Sequence, residues 1–201
     1  MTGLSKSQAF LKRMFDLVVA IPALFFLLPL IATIFIIASL DTRSFGFFLQ
    51  RRIGFRGRPF LIIKFKTMMD SSLISSPIAS LNASRVTVFG NFLRKYKLDE
   101  LPQLFNIIAG QMSFVGPRPD VPGYADRLKS VSELYLSIRP GVTGPASIKY
   151  ANEEEILSAS PDPRKHNDEV IWPDKVKINL QYIKTWSLRR DIGYIFKTVF
   201  N

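Results

Sequence analysis

The feature that most constrains this chain is an apolar run near its start, MFDLVVAIPALFFLLPLIATIFIIASL, from Met14 to Leu40. It holds one charged residue, Asp16. At about 1.5 Å per residue, a helix of this length could cross a hydrocarbon core of about 30 Å. A secretory signal would have a shorter apolar region and a small-residue cleavage site. A core helix this long and apolar on every side would be unusual in a small domain. The run therefore predicts membrane contact. Pro22 and Pro29 interrupt it, and each removes a backbone donor and clashes with the preceding turn. Lys6, Lys12 and Arg13 precede the run, and Arg43, Arg51 and Arg52 follow it. Basic flanks favour the cytoplasmic side, and a straight span would send one of them across. A helix broken near Pro29 that dips in and returns keeps both flanks on one side. A single span is the alternative.

The rest predicts a small α+β, mainly helical fold. Residues 1–43 form the membrane element, and residues 44–201 form a globular domain with helices at the membrane interface. FGFFLQRRIGFRGRPFLIIKFKTMM, Phe45 to Met69, reads as a short β-hairpin around a Gly- and Arg-rich turn. Asp70 to Ser84 is serine-rich and lacks periodicity, so it reads as a loop. Phe89 to Ala109 has helical apolar spacing, with Gly110 as the stop. SFVGPRPD and RPGVTGPAS read as rigid, irregular loops. Asp120 is positioned to cap a helix from about Gly123 to Ser137. ANEEEILSAS predicts a short helix with acids in its first turn. Lys175–Thr185 and Ser187–Phe200 predict two closing helices.

Composition narrows the chemistry. The 201 residues carry 27 Lys+Arg against 16 Asp+Glu, a net charge of +11, so an anionic partner is expected. No cysteine is present, which excludes disulfides and thiolate metal sites. The one histidine, His166, lies in a polar, proline-rich stretch and reads as a solvated loop residue. A multi-histidine metal site is excluded. There is no GxGxxG or P-loop pattern.

Against this basic background, KLDELPQ sets Asp99 and Glu100 side by side just before Pro102. Pro102 suits the first turn of a helix, which would place Asp99 near a positive dipole end. Arg94, Lys95 and Lys97 precede the acids, and Arg118 follows between two prolines. The pair reads either as a capping aspartate with a solvated glutamate, or as ligands for Mg²⁺ beside substrate phosphates. Arginine offers a planar fork for phosphate. Lys64 and Lys66 share a face if their segment is a strand.

KFKTM, RVTVFGNFLRKYKLDELPQLFNIIAGQMSFVGPRP, IRPGVTG and YIKTWSLRRDI, in that order and spacing, resemble the bacterial sugar transferases, the monotopic phosphoglycosyl transferases. The likeness runs from about Lys12 nearly to the C-terminus and is closest to the small, minimal form of that family. It implies transfer of a phosphosugar from a nucleotide diphosphosugar, usually a UDP-sugar, to polyprenyl phosphate, with release of a nucleoside monophosphate. It implies Asp99 as the nucleophile, through a covalent aspartyl-phosphosugar, and Glu100 as a Mg²⁺ ligand or positioning group. Arg118 is implied to bind phosphate, and Lys64, Arg94 and Arg139 match basic positions of the family near the site. Asp191 matches an acid of the closing helix. The re-entrant break would fall at Pro29, on the cytoplasmic face of a bacterial inner membrane. Three departures stand out: Leu28 where a serine is frequent, Asn179 where an aspartate is frequent, and GPASIKYANEEE where GLAQV is frequent. The competing reading is a membrane-anchored protein that binds anionic lipid or nucleic acid without turnover. Under the enzyme reading no nucleic-acid partner is expected.

Overall fold

The structure is a computed structural model, and it describes residues 3–70, 85–128 and 132–200. It opens with α1, Lys6–Thr42, a helix of 37 residues. Ser5 starts it through a reciprocal cap: its hydroxyl accepts from Gln8 N, and Gln8 Oε1 accepts from Ser5 N. Arg43, in the left-handed region at φ 51°, ends it. Helical conformation runs through both Pro22 and Pro29, so the interruption expected at Pro29 does not end the element. Each proline costs one donor, while the long apolar run on either side keeps its other hydrogen bonds.

Among the described residues, α1 is the one helix long and apolar enough to cross a membrane, with a mean hydropathy of 2.7 in its best window. Only a narrow stripe of it is buried in the protein, including Ala20, Ile31, Ile34 and Ala38. Phe10, Val18, Phe25, Phe26, Ile36 and Leu40 are exposed.

The chain then forms the expected hairpin. Strand β1 (Phe47–Ile53) pairs antiparallel with β2 (Pro59–Phe65), from Phe47 opposite Phe65 to Ile53 opposite Pro59. A turn carries the reversal, with Arg56 at φ 56° and Gly57 at φ 72°. Of the expected loop from Asp70 to Ser84, all but Asp70 lies outside the described residues.

The single helix expected from Phe89 to Ala109 is divided. Helix α2 (Val88–Lys95) ends before Lys97, which adopts φ 55°. A 3-10 turn, Leu98–Glu100, follows, and then α3 (Gln103–Ile108). The apolar spacing survives the break because Leu93, Leu98, Leu101 and Phe105 all face one cluster with Ile31, Ile34 and Phe65. Periodicity records which side is buried, and here two short helices bury the same side that one long helix would.

SFVGPRPD and RPGVTGPAS are also more ordered than expected. They contribute β3 (Ser113–Val115) and β4 (Gly141–Thr143), a short parallel pair. Gly141 is required there, since a Cβ would lie 2.1 Å from Gly116 N. The expected helix from Gly123 to Ser137 is interrupted: one 3-10 turn at Ala125–Arg127, an extended Leu128, and one turn of α4 (Ser132–Tyr135). Among the described residues Asp120 caps nothing there; Asp126 accepts from Gly123 N instead, at 2.7 Å.

Short helices α5 (Pro145–Lys149), α6 (Glu153–Ser158) and α7 (Pro163–His166) lead to α8 (Trp172–Lys184) and α9 (Leu188–Phe200). Glu153, Glu154 and Glu155 occupy the first turn of α6, as expected. His166 ends α7 rather than lying in a loop. The two closing helices are present, and α9 leaves Ile192, Phe196, Val199 and Phe200 exposed.

The body grips α1 along its length. Near the start, Lys12 pairs with the buried Asp191 of α9, and Arg13 donates to Ile107 O (2.6 Å) and Ile108 O (2.9 Å). Asp16 accepts from Ser113 Oγ (2.9 Å) and Phe114 N (3.1 Å). In the middle, Ala20, Ala23, Leu24 and Leu27 pack with Leu104, Ile107 and Met112. Near the end, Ile31 and Ile34 pack with Phe65 and Leu93.

Candidate active site

Four elements bring charged side chains into one open cavity of about 2320 Å³. The 3-10 turn supplies Asp99 and Glu100, β2 supplies Lys64, α2 supplies Arg94, and the loop after β3 supplies Arg118. The left-handed Lys97 and the following tight turn aim both carboxylates at β2. Asn106 fixes that strand: its Nδ2 donates to Leu61 O (2.7 Å) and its Oδ1 accepts from Ile63 N (3.0 Å). It thereby completes the β2 edge one residue from Lys64.

Lys64 Nζ donates to Glu100 Oε1 at 2.7 Å and lies 3.9 Å from Asp99 Oδ2. Arg118 donates to the same Glu100 oxygen at 2.8 Å. Water reaches 46% of the Arg118 side chain but only 14% of either carboxylate. The guanidinium can therefore meet an incoming anion while it holds Glu100. Burial raises the Glu100 carboxyl, but the charges of Arg118 and Lys64 prevail and hold it well below the usual range. Asp99 goes the other way: burial, with the neighbouring Glu100 charge, raises it above the usual range against the pull of Lys64. Burial and the nearby Arg118 charge lower Lys64. One carboxylate is thus neutralised and fixed, and the other is less compensated and more basic. That division suits a nucleophile beside a positioning group.

Arg94 lines the same cavity, but its guanidinium is paired with Glu154 of α6. Arg139 is not brought to the group. Its Nε donates to Gly110 O (2.8 Å) and its guanidinium lies 5.3 Å over the Phe55 ring, so it holds the loop that leads into β4. Lys66 lies just past β2 and binds Asp70.

Among the described residues no three acids or imidazoles gather as a metal cage. Two carboxylates suffice for Mg²⁺ when substrate phosphates and water complete its shell. Among the described residues, the only cationic nitrogen within salt-bridge range of Asp99 is Lys64 at 3.9 Å. The donor set of Asp99 and Glu100 fits a hard cation that arrives with a diphosphate.

Sequence reading missed two residues near this site. Arg52, in sequence a flank of the apolar run, lines the cavity, binds Gln50 and donates to Pro119 O at 3.0 Å. Asp120 reads in sequence as a helix cap. Its Oδ2 is buried without a partner among the described residues, and burial pushes its carboxyl up to about 7 despite Lys175 and Arg52. The only signal was an acid placed directly after Pro-Arg-Pro.

The bacterial sugar transferase family matches residues 7–201. The exopolysaccharide production protein ExoY of Sinorhizobium fredii is 36% identical over 94% of this chain and 83% of its own length. The UDP-glucose:undecaprenyl-phosphate glucose-1-phosphate transferase of Escherichia coli is 34% identical over 99% of this chain. The undecaprenyl-phosphate galactose phosphotransferase of Salmonella typhimurium is 33% identical over 96% of it. The chain spans only 41% and 40% of those two larger relatives.

Proposed function

Since this chain belongs to the bacterial sugar transferase family, we propose that it is a phosphoglycosyl transferase, moving a phosphosugar from a UDP-sugar to undecaprenyl phosphate and starting glycoconjugate assembly. One observation carries this reading. Asp99, Glu100, Lys64 and Arg118 meet in a cavity whose wall also includes Ala23 and Leu27 of the apolar helix. A polar phosphate site with an apolar wall from a membrane helix suits an acceptor with a phosphate head and a hydrocarbon tail.

In this reading Asp99 is the nucleophile. One carboxylate oxygen attacks the sugar-bearing phosphorus of the donor, the bond to the bridging oxygen breaks, and UMP leaves. The aspartyl-phosphosugar is then attacked at phosphorus by the acceptor's phosphate oxygen, which frees the carboxylate. Carboxylate attack divides one difficult displacement into two easier ones. Phosphoryl transfer needs positioning and charge neutralisation above all. Arg118 and Lys64 supply positive charge, and Glu100 holds both in place. Arg94 joins them if Glu154 releases it. Asp99 and Glu100 would hold Mg²⁺, which would add charge neutralisation at the diphosphate.

The proposed membrane placement is a re-entrant one, with the body on the cytoplasmic face of the inner membrane. Its support is that α1 contacts one body near both ends, through Lys12, Arg13 and Asp16 and through Ile31 and Ile34. A perpendicular span would pull one end away.

The test is intact mass of the purified protein with Mg²⁺ and a panel of UDP-sugars, without acceptor. The expected result is an added phosphosugar in the wild type that is absent in Asp99→Asn. UMP release on adding undecaprenyl phosphate should vanish in the same variant. Full turnover by Asp99→Asn would overturn the nucleophile assignment.

A further inference from the structure

A second group of polar atoms lines the same cavity and takes no part in the chemistry above. Asp120 Oδ2 and Asn179 Oδ1 are both buried, and among the described residues both lack a hydrogen-bond partner. Asn179 is 2% exposed, and its Nδ2 donates to Tyr135 OH at 3.2 Å, itself buried. Asp120, Tyr135 and Asn179 come from the loop after β3, from α4 and from α8, and all three line the cavity that holds Asp99 and Arg118.

The three are held firmly. Asp120 O accepts from Ile53 N at 2.9 Å, and the neighbouring Pro119 O accepts from Arg52. The loop is thus tied to the end of the hairpin at two consecutive residues. The cations that could satisfy these atoms are engaged elsewhere. Lys175 binds Glu153, and Arg52 binds Gln50 and Pro119 O. A buried acceptor without a donor is costly, so native proteins supply one for nearly all of them. Two such acceptors in one cavity call for a ligand with donors. When ionised, Asp120 beside the Asn179 carbonyl repels phosphate oxygens, which disfavours the diphosphate as occupant. Hydroxyl and amide N–H groups are the right ones. Arg118, implied to hold phosphate, is only two residues from Asp120, so the occupant lies close to the phosphate.

We infer that Asp120 and Asn179, with Tyr135 behind them, form a sugar-reading subsite that accepts hydrogen bonds from hydroxyl or acylamino groups of the transferred sugar. This rests on the transferase reading above. A site built to hydrogen-bond a substrate hydroxyl discriminates strongly against analogues that misplace it. Asp120 and Asn179 are then specificity residues, and Tyr135 positions Asn179.

The experiment compares kcat/KM for UDP-glucose, UDP-galactose, UDP-N-acetylglucosamine and UDP-N-acetylgalactosamine in wild type, Asp120→Asn and Tyr135→Phe, with inhibition by UMP measured alongside. The expected result is that Asp120→Asn changes the ratio between the best donor and its epimer by about 10-fold or more, while UMP inhibition stays within twofold. Tyr135→Phe keeps the ring and should shift the same ratio less, which supplies a readout should Asp120→Asn fold poorly. A uniform fall for all donors with the ratio intact would show a structural role and overturn the inference. Equal weakening of UMP and of every UDP-sugar would assign the subsite to the nucleoside and overturn it also. No turnover by wild type with any donor removes the transferase reading itself, and this inference with it.

Discussion

The tie between α1 and the body can be tested at Lys12. Its ammonium reaches Asp191, which is fully buried and also accepts from Tyr182 OH (2.7 Å) and Trp186 Nε1 (3.0 Å). Lys12→Met keeps an unbranched apolar stem and removes the ammonium, with its charge and its hydrogen bonds to Asp191 and Tyr182 OH. Asp191 would remain a buried carboxylate with two neutral donors. Breaking a buried pair from one side costs about 3–5 kcal/mol, and the two remaining donors place this site near about 3 kcal/mol. Asp191→Asn should cost a similar amount, because it strands the ammonium. The double variant leaves a neutral amide whose oxygen can accept from Trp186 Nε1 while its nitrogen donates to the Tyr182 hydroxyl, so its loss should be about 1 kcal/mol. The coupling would then be several kcal/mol, well above the few tenths expected of independent sites. Urea unfolding in lipid nanodiscs, followed by tryptophan fluorescence, reads this directly, since Trp186 donates to Asp191 itself. With a total stability of about 5–15 kcal/mol, the single variants should show clearly lower midpoints. A Lys12→Met midpoint equal to wild type, or purely additive losses, would refute the tether. It would also remove the support that both-ended contact gives to a re-entrant α1.

Four further outcomes follow from the same geometry. Asn106→Leu should lose about 2–4 kcal/mol, because Leu61 O and Ile63 N lose their partner. It should also weaken donor use through Lys64, read as a higher KM for the UDP-sugar. Gly141→Ala should cost about 1–3 kcal/mol, since its Cβ would press on Gly116 N and separate β3 from β4; denaturant midpoints check it. Asp99 must be ionised to attack and its carboxyl is raised, so the adduct should fail as pH falls through that raised value; single-turnover rates across pH 4–8 test this. Asp120 stands near 7 in the fold against an ordinary 3.8, so between those values the folded state holds a proton that the unfolded state has lost. Its contribution to stability is therefore lost as pH rises from about 4 to about 7 and flat above; Asp120→Asn should remove that component of the pH–stability curve.

The parts of this molecule that were legible in the sequence are those written locally. The apolar run, the alternation around the Gly-Arg turn, the acids opening α6 and the two closing helices each depend on residues near one another. So does the adjacency of Asp99 and Glu100 before Pro102. What could not be read was set at long range. Lys97 adopts a left-handed backbone because α2 and α3 must both face Ile31, Ile34 and Phe65, and periodicity gave no hint of that reversal. β3 and β4 are three residues each and exist only because Gly116 and Gly141 let two proline-bounded loops meet.

Charge followed the same division. Arg118 and Arg139 look alike in sequence, each beside proline and glycine. One reaches Glu100 across 18 residues, while the other is spent on Gly110 O and the Phe55 ring. A basic residue near an acidic motif is thus a candidate for phosphate only until its partners are known. The converse holds for Asp120: an acid with no partner is the more informative residue, because burial without a donor is costly and persists where a ligand can supply one. The sugar, which the family likeness leaves open, is therefore best sought among the unsatisfied acceptors at Asp120 and Asn179 rather than among the abundant cations.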